Sequence, residues 1–246
     1  MKKRGFFVDY ICRCNASCVQ LDDTSLWIVG GDNHSHDTLK STEFIAFDKC
    51  TNAKDYSEET QTGPEIPFSI YDHCILKFNE NSIYLIGGEQ NDKISNKTWI
   101  VDSGKNFHIT EGPPLNRKRK GHCCAKFENK AGKILFVVAG GFDGATFLDS
   151  VEILDPLSDQ GWKYGPNLPL KISGSQMISS PEGTGVILVG GYFKHMIARE
   201  GYSNTLYEWN GDFTSKWRRL EQTLQFGRKN HLVIPLPDKY VKCDRK

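Results

Sequence analysis

A short apolar strand running into two glycines is written four times in this chain: LWIVGG at residues 26–31, IYLIGG at 83–88, LFVVAGG at 135–141 and VILVGG at 186–191. The second glycines lie 57, 53 and 50 residues apart. A run of Ile, Val, Leu and aromatic residues without polar alternation is a strand buried on both faces. Four of them at a near-constant period mean one repeating unit, each copy packed between others of its kind. Glycine at the exit fits a sharp turn where φ is positive or another backbone comes close.

The segments between these strands are mixed-pattern strands with Gly, Pro, Asn and Asp at their ends, and none has helical periodicity. Each unit reads as a four-stranded antiparallel meander, so the expectation is an all-β propeller with four full repeats, roughly 13–63, 71–114, 119–169 and 172–222. A partial unit at 228–246 restarts the innermost strand, and Phe6 to Tyr10 offers an outer strand to the same blade. Two closures stay open: a fifth composite blade, which removes free sheet edges, or the C-terminal part of a longer propeller.

The 246 residues carry a formal net charge of +1, which excludes a strongly polyanion-directed chain, so no nucleic-acid partner is expected. No stretch approaches the length of a membrane span. The opening MKKRGFF is broken at Asp9 before an apolar core of signal-peptide length develops, so a cytoplasmic location is expected. Eight cysteines are too few for a disulfide-built fold of this size. Cys18, Cys74 and Cys123 align at one point of three units and read as buried thiols, because equivalent points on neighbouring inner strands should exceed the ~7 Å reach of a disulfide. Cys243 could instead staple the chain ends through Cys12 or Cys14.

Further elements recur in order. An aromatic residue follows the third strand at Phe107, Trp162 and Trp217; a G-P-x-L-P turn spans residues 165–169 and is cut down at Gly63 and Gly112; an R-x-x-H lead-in joins Arg119 to His122 and Arg228 to His231. Together with the double glycines these resemble the kelch repeats of the galactose-oxidase-like propellers, over nearly the whole chain. The first unit departs from the pattern with Ala53 and Tyr56 where a tryptophan is expected, and the fourth has Ser175 for its lead-in His.

Because strands one and two of a blade are antiparallel, the loop leading into the first and the loop leaving the second emerge on one face. The resemblance implies that this face binds a protein or peptide partner. Two candidate patches fall on it. Arg117, Lys118, Arg119 and Lys120 form a basic run, with Arg228 and Lys229 in the equivalent loop, suited to an acidic segment. The longest loop carries Tyr192, Phe193, His195, Met196, Arg199 and Tyr202, residue types that anchor interfaces unless the aromatics fold back as plugs.

Catalytic constellations are weaker. His34 and His36 with Asp32 and Asp37 could hold a borderline metal, but read better as a polar loop. His73, His122 and His231 repeat at a framework point, which favours packing over coordination. No nucleophile elbow or phosphate-cradling glycine loop occurs. The expected function is therefore a non-catalytic, monomeric interaction module without cofactor. The alternatives are a sugar-directed propeller enzyme, hydrolase or isomerase, and a secreted adhesive or structural module.

Overall fold

The computed structural model describes residues 13–33, 35–46, 59–181, 183–194 and 200–233. The segment Phe6 to Tyr10, residues 234–246, Ala53 and Tyr56, and the cysteines Cys12 and Cys243 lie outside the described residues. Four four-stranded antiparallel sheets follow one another along the chain, and no α-helix occurs among the described residues. In the first unit the strands are Ser17–Asp22, Ser25–Val29, Thr42–Ala46 and Glu59–Thr62, paired in sequence order. The second has Cys74–Lys77, Ser82–Ile86, Thr98–Asp102 and His108–Glu111; the third has Cys123–Glu128, Ile134–Ala139, Val151–Leu154 and Lys163–Tyr164. The fourth has Gln176–Ser179, Val186–Val189, Thr205–Trp209 and Arg218–Thr223.

Three apolar clusters fill the seams between successive units. Trp27 and Val29 meet Ile83, Leu85 and Val101; Tyr84 and Ile86 meet Phe136, Val138 and Leu154; Val137 and Ile153 meet Val186, Leu188 and Trp209. The second and third double-glycine strands thus feed two seams each through their alternating side chains, which is why they run without polar alternation. The glycines fasten the seams. All eight have φ between 61° and 107°, and the second of each pair donates its N–H to the next unit's lead-in: Gly31 to Ile70 O, Gly88 to Arg119 O, Gly141 to Ile172 O and Gly191 to Arg228 O, at 2.7 to 2.8 Å. A Cβ on Gly30 would sit 2.1 Å from the Ile70 carbonyl oxygen, so no other residue fits.

The recurrent tryptophans act across the same seams. The Trp162 indole N–H donates to Pro113 O at 3.0 Å, and that of Trp217 to Pro166 O at 2.9 Å, each reaching the G-P turn of the preceding unit. Phe107 has no donor and packs at a tilt against Trp27 and Phe44 instead, while the Pro64 carbonyl accepts from the Thr42 hydroxyl.

Two cysteine expectations are corrected. Cys74 is disulfide-bonded to Cys124, with Cα atoms 6.1 Å apart. The register explains it: Cys74 faces Ile86 and Cys123 faces Ala139, each just before the glycines, so those two are the equivalent pair. Cys124 is one residue on, points to the opposite side of its sheet and meets Cys74 across the seam. In the first unit the equivalent residue is Ser17, opposite Val29, and Cys18 lies on the other side of the sheet, where it is exposed. Cys123 is buried with a free thiol.

The loops after the double glycines are more ordered than their polar sequences suggest. Ile70–Tyr71 pairs with a hairpin of Glu89–Gln90 and Lys93–Ile94, and Ile172–Ser173 with one of Tyr192–Lys194 and Glu200–Tyr202. Single bridges, Cys14 to Asp32 and Lys120 to Phe142, repeat the plan in units one and three. These pairings place both kinds of loop on one face.

Candidate partner-binding face

The centre of that face is a ring of left-handed residues. Asn15, Asp72, Gly121, Gly174 and Asn230 have φ of 53°, 52°, 59°, 66° and 50°, all from types that tolerate this conformation. Four bonds link the five in order: Asp72 N to Asn15 O, Gly121 N to Asp72 O, Gly174 N to Gly121 O and Asn230 N to Gly174 O, at 2.8 to 3.0 Å. Asn230 therefore starts a fifth copy of the pattern. The five segments surround a polar cavity of about 290 Å³. The lead-in histidines wedge between units. His122 lies against Gly87 and His231 against Gly190, where a Cβ would come within 2.8 Å and 2.6 Å of the imidazole carbons.

The basic run is mostly neutralised within the chain. Arg119 is fully buried and pairs with the fully buried Glu152 at 2.6 Å. Its guanidinium also donates to Gly140 O and Ser150 O. Glu152 in turn accepts from the amides of Asn116 and Arg117, at 2.7 and 3.2 Å, and so fixes the start of the basic loop. Arg117 pairs with Asp143 at 2.5 Å. Burial alone would raise the Asp143 carboxyl, but the Thr146 and Ala145 amides and Arg117 outweigh it and hold it at about 2. Lys120 bonds Glu89 at 2.6 Å and reaches the Tyr71 hydroxyl at 3.4 Å. Burial opposes its charge, yet these partners leave its pKa raised. Lys118 is exposed, with no carboxylate partner among the described residues.

Beside this clasp runs a row of aromatic rings. Phe142 to Phe147, Phe147 to Tyr192 and Tyr192 to Tyr202 have centroids 5.6 to 5.7 Å apart. Tyr202 is 56% exposed and the other three are half-buried. The Lys229 ammonium lies 5.4 Å from the Tyr192 ring centroid, a cation–π distance. The Lys118 Nζ approaches the hairpin tip at Gly144, between Phe142 and Phe147 in sequence.

Of the residues singled out from the sequence, Tyr192 and Tyr202 join the row, Lys118 flanks it and Arg228 is exposed nearby in sequence to Lys229. Phe193 turns inward onto the core between units three and four. Arg117 and Lys120 are on the face but engaged with carboxylates. His195 and Arg199 lie outside the described residues. Of the polar loop considered for a metal, His36 is 90% exposed and 3.8 Å from Asp32, and among the described residues no group of three His, Cys, Asp or Glu is placed to hold an ion. Sequence reasoning missed Phe142, Phe147, Asp143 and Glu152. Phe142 was within reach, since it follows its double glycine as Tyr192 does.

The Kelch motif family model matches residues 135–169, the stretch from the third double-glycine strand through its G-P turn. The third unit thus carries a kelch motif. The chain is similar to Kelch repeat and BTB domain-containing protein 1 of Cowpox virus (strain Brighton Red), 25% identical over 210 residues that cover 85% of this chain and 34% of that protein. It is also similar to Spermatocyte protein spe-26 of Caenorhabditis elegans, 25% identical over 218 residues, covering 84% and 33%. The chain thus spans about one third of the length of these relatives. Among solved structures, "Structure of YjhT" superposes with a TM-score of 0.67 at 16% identity, covering 89% of this chain and 73% of that one. That likeness speaks to the propeller fold alone. No helix among the described residues is long and apolar enough to cross a membrane.

Proposed function

We propose that this kelch propeller is a non-catalytic interaction module that captures a protein partner on its loop face. The observation that carries the reading is the row Phe142, Phe147, Tyr192 and Tyr202, which leaves aromatic surface half-open where buried seams would have hidden it. Aromatic anchors of this kind dominate binding energy when a partner desolvates them. The cations beside it, Lys118 and Lys229, suit a partner segment that carries carboxylates beside an apolar side chain. The rest of the basic run supports the loops from within.

The test starts from partners captured by proximity labelling with the whole gene product. For each, the affinity of the double variant Tyr192→Ala, Tyr202→Ala should fall at least about tenfold, roughly 1.4 kcal/mol or more. Lys118→Glu with Lys229→Glu should weaken binding chiefly at low salt. Leu157→Ala, an exposed apolar residue on the turn between strands three and four, and so on the opposite face, should leave binding unchanged. Equal affinity for the tyrosine variant, with its melting curve intact, would remove this face as the binding surface.

A further inference from the structure

The Cys74–Cys124 bond occupies a specific place in the ring. Cys74 is three residues beyond Tyr71 and Cys124 four beyond Lys120, so the bond lies on the same seam as the Tyr71, Glu89 and Lys120 contacts. That seam also carries the backbone bond from Gly121 N to Asp72 O. The two sulfurs reach each other because they project from facing sides of adjacent inner strands, a relation that the equivalent pair Cys74 and Cys123 lacks. We propose that Cys74 and Cys124 are a reversible thiol–disulfide pair that fastens the second unit to the third directly beneath the Tyr71, Glu89 and Lys120 clasp.

The chemistry closes without a cofactor. The Cys124 thiolate, on the half-buried residue of the two, attacks one sulfur of a glutathione-type disulfide and releases the first external thiolate. The Cys74 thiolate then attacks the Cys124 sulfur of the mixed disulfide and releases the second. Two protein thiols are oxidised, one external disulfide is reduced to two thiols, and the protons lost by Cys74 and Cys124 go to the released thiolates. The neighbouring Cys123 does not compete: it is 3% exposed, and burial pushes its thiol up to about 12, so it stays protonated. The bond closes a loop with a sequence separation of 50 residues, one whole unit, so it restricts the unfolded chain substantially.

The proposal is independent of what the loop face binds. Its test is differential alkylation and peptide mass spectrometry of the full chain in glutathione buffers of graded oxidising strength. The expected product is a Cys74–Cys124 linked peptide whose fraction titrates with the buffer, with Cys18 alkylated throughout and Cys123 only after denaturation. Reduction should lower the melting temperature by about 10 °C and speed amide exchange at Gly121. Cys74→Ser and Cys124→Ser should melt at the reduced value in every buffer, while Cys123→Ser keeps the redox dependence. Alkylation of both Cys74 and Cys124 in the most oxidising buffer, or a Cys74–Cys123 link in their place, would overturn it.

Discussion

Glu152→Ala should destabilise the propeller by about 3–5 kcal/mol, the cost of leaving the Arg119 guanidinium buried without its counter-charge. Both side chains are fully buried, so no water can substitute. The loss has a second part, because Glu152 also accepts from the Asn116 and Arg117 amides, and without it the basic loop loses its anchor. The chain itself contains the repair. In unit one Arg13 pairs with Glu43 and donates to Gly30 O and Ser41 O, matching Arg119 with Glu152, Gly140 O and Ser150 O. In units two and four the same two places hold Ile70 with Trp99 and Ile172 with Tyr207, read from the ladders opposite Leu85 and Leu188. The fold therefore holds either an ion pair or a largely apolar pair there. Arg119→Met combined with Glu152→Leu should accordingly be more stable than Glu152→Leu alone by about 1–2 kcal/mol or more, with the remaining deficit coming from the uncapped loop. Urea denaturation of the two single variants and the double variant measures this coupling. Additive losses would show that the pair acts as two separate contacts.

That alternation marks what the sequence could and could not yield. The double glycines, the G-P turns and the aromatics at Trp162 and Trp217 were legible because each obeys a local rule and repeats it: a buried strand, a left-handed exit, an indole reaching a proline carbonyl. The shared loop face followed from strand direction alone, and the pairings of lead-in and post-glycine segments bear it out. Charge was misleading because it is counted along the chain but cancelled across it. Arg117, Arg119 and Lys120 look like one patch, yet their partners Asp143, Glu152 and Glu89 lie about thirty residues away. The cysteines failed for a related reason. A one-residue slip in the first unit reverses the side of the sheet on which a thiol lies, and the vicinal Cys123 and Cys124 divide between two seams.

Acidification should weaken the fold well before its carboxylates titrate. Burial pushes His73 down to about 3. His122 is held well below the ordinary imidazole value, by burial first and then by Arg119 and His73, and His231 is lowered by burial and by Arg228. The folded His73 and His122 imidazoles stay neutral and that of His231 takes up its proton later than it does unfolded, whereas the unfolded chain takes up protons below about pH 6.5. The unfolded state then binds more protons, so their contribution is complete above pH 6.5 and is lost as the pH falls from there toward the folded value. For His73 alone the loss between pH 6.5 and 4.5 is on the order of 2–3 kcal/mol. Asp72 works the other way, since burial raises its carboxyl, so its protonation offsets part of the loss as the pH falls. Glu89 and Asp143, both lowered, add their losses below about pH 4.5, so between 6.5 and 4.5 the destabilising change is that of the histidines. Urea midpoints across that interval should fall steadily in the native chain, and His73→Asn should flatten part of the slope while lowering stability at pH 7.5. A midpoint that holds level from pH 6.5 to 4.5 would mean that these imidazoles reach water in the folded state, and that the wedges between units are looser than their packing against Gly87 and Gly190 implies.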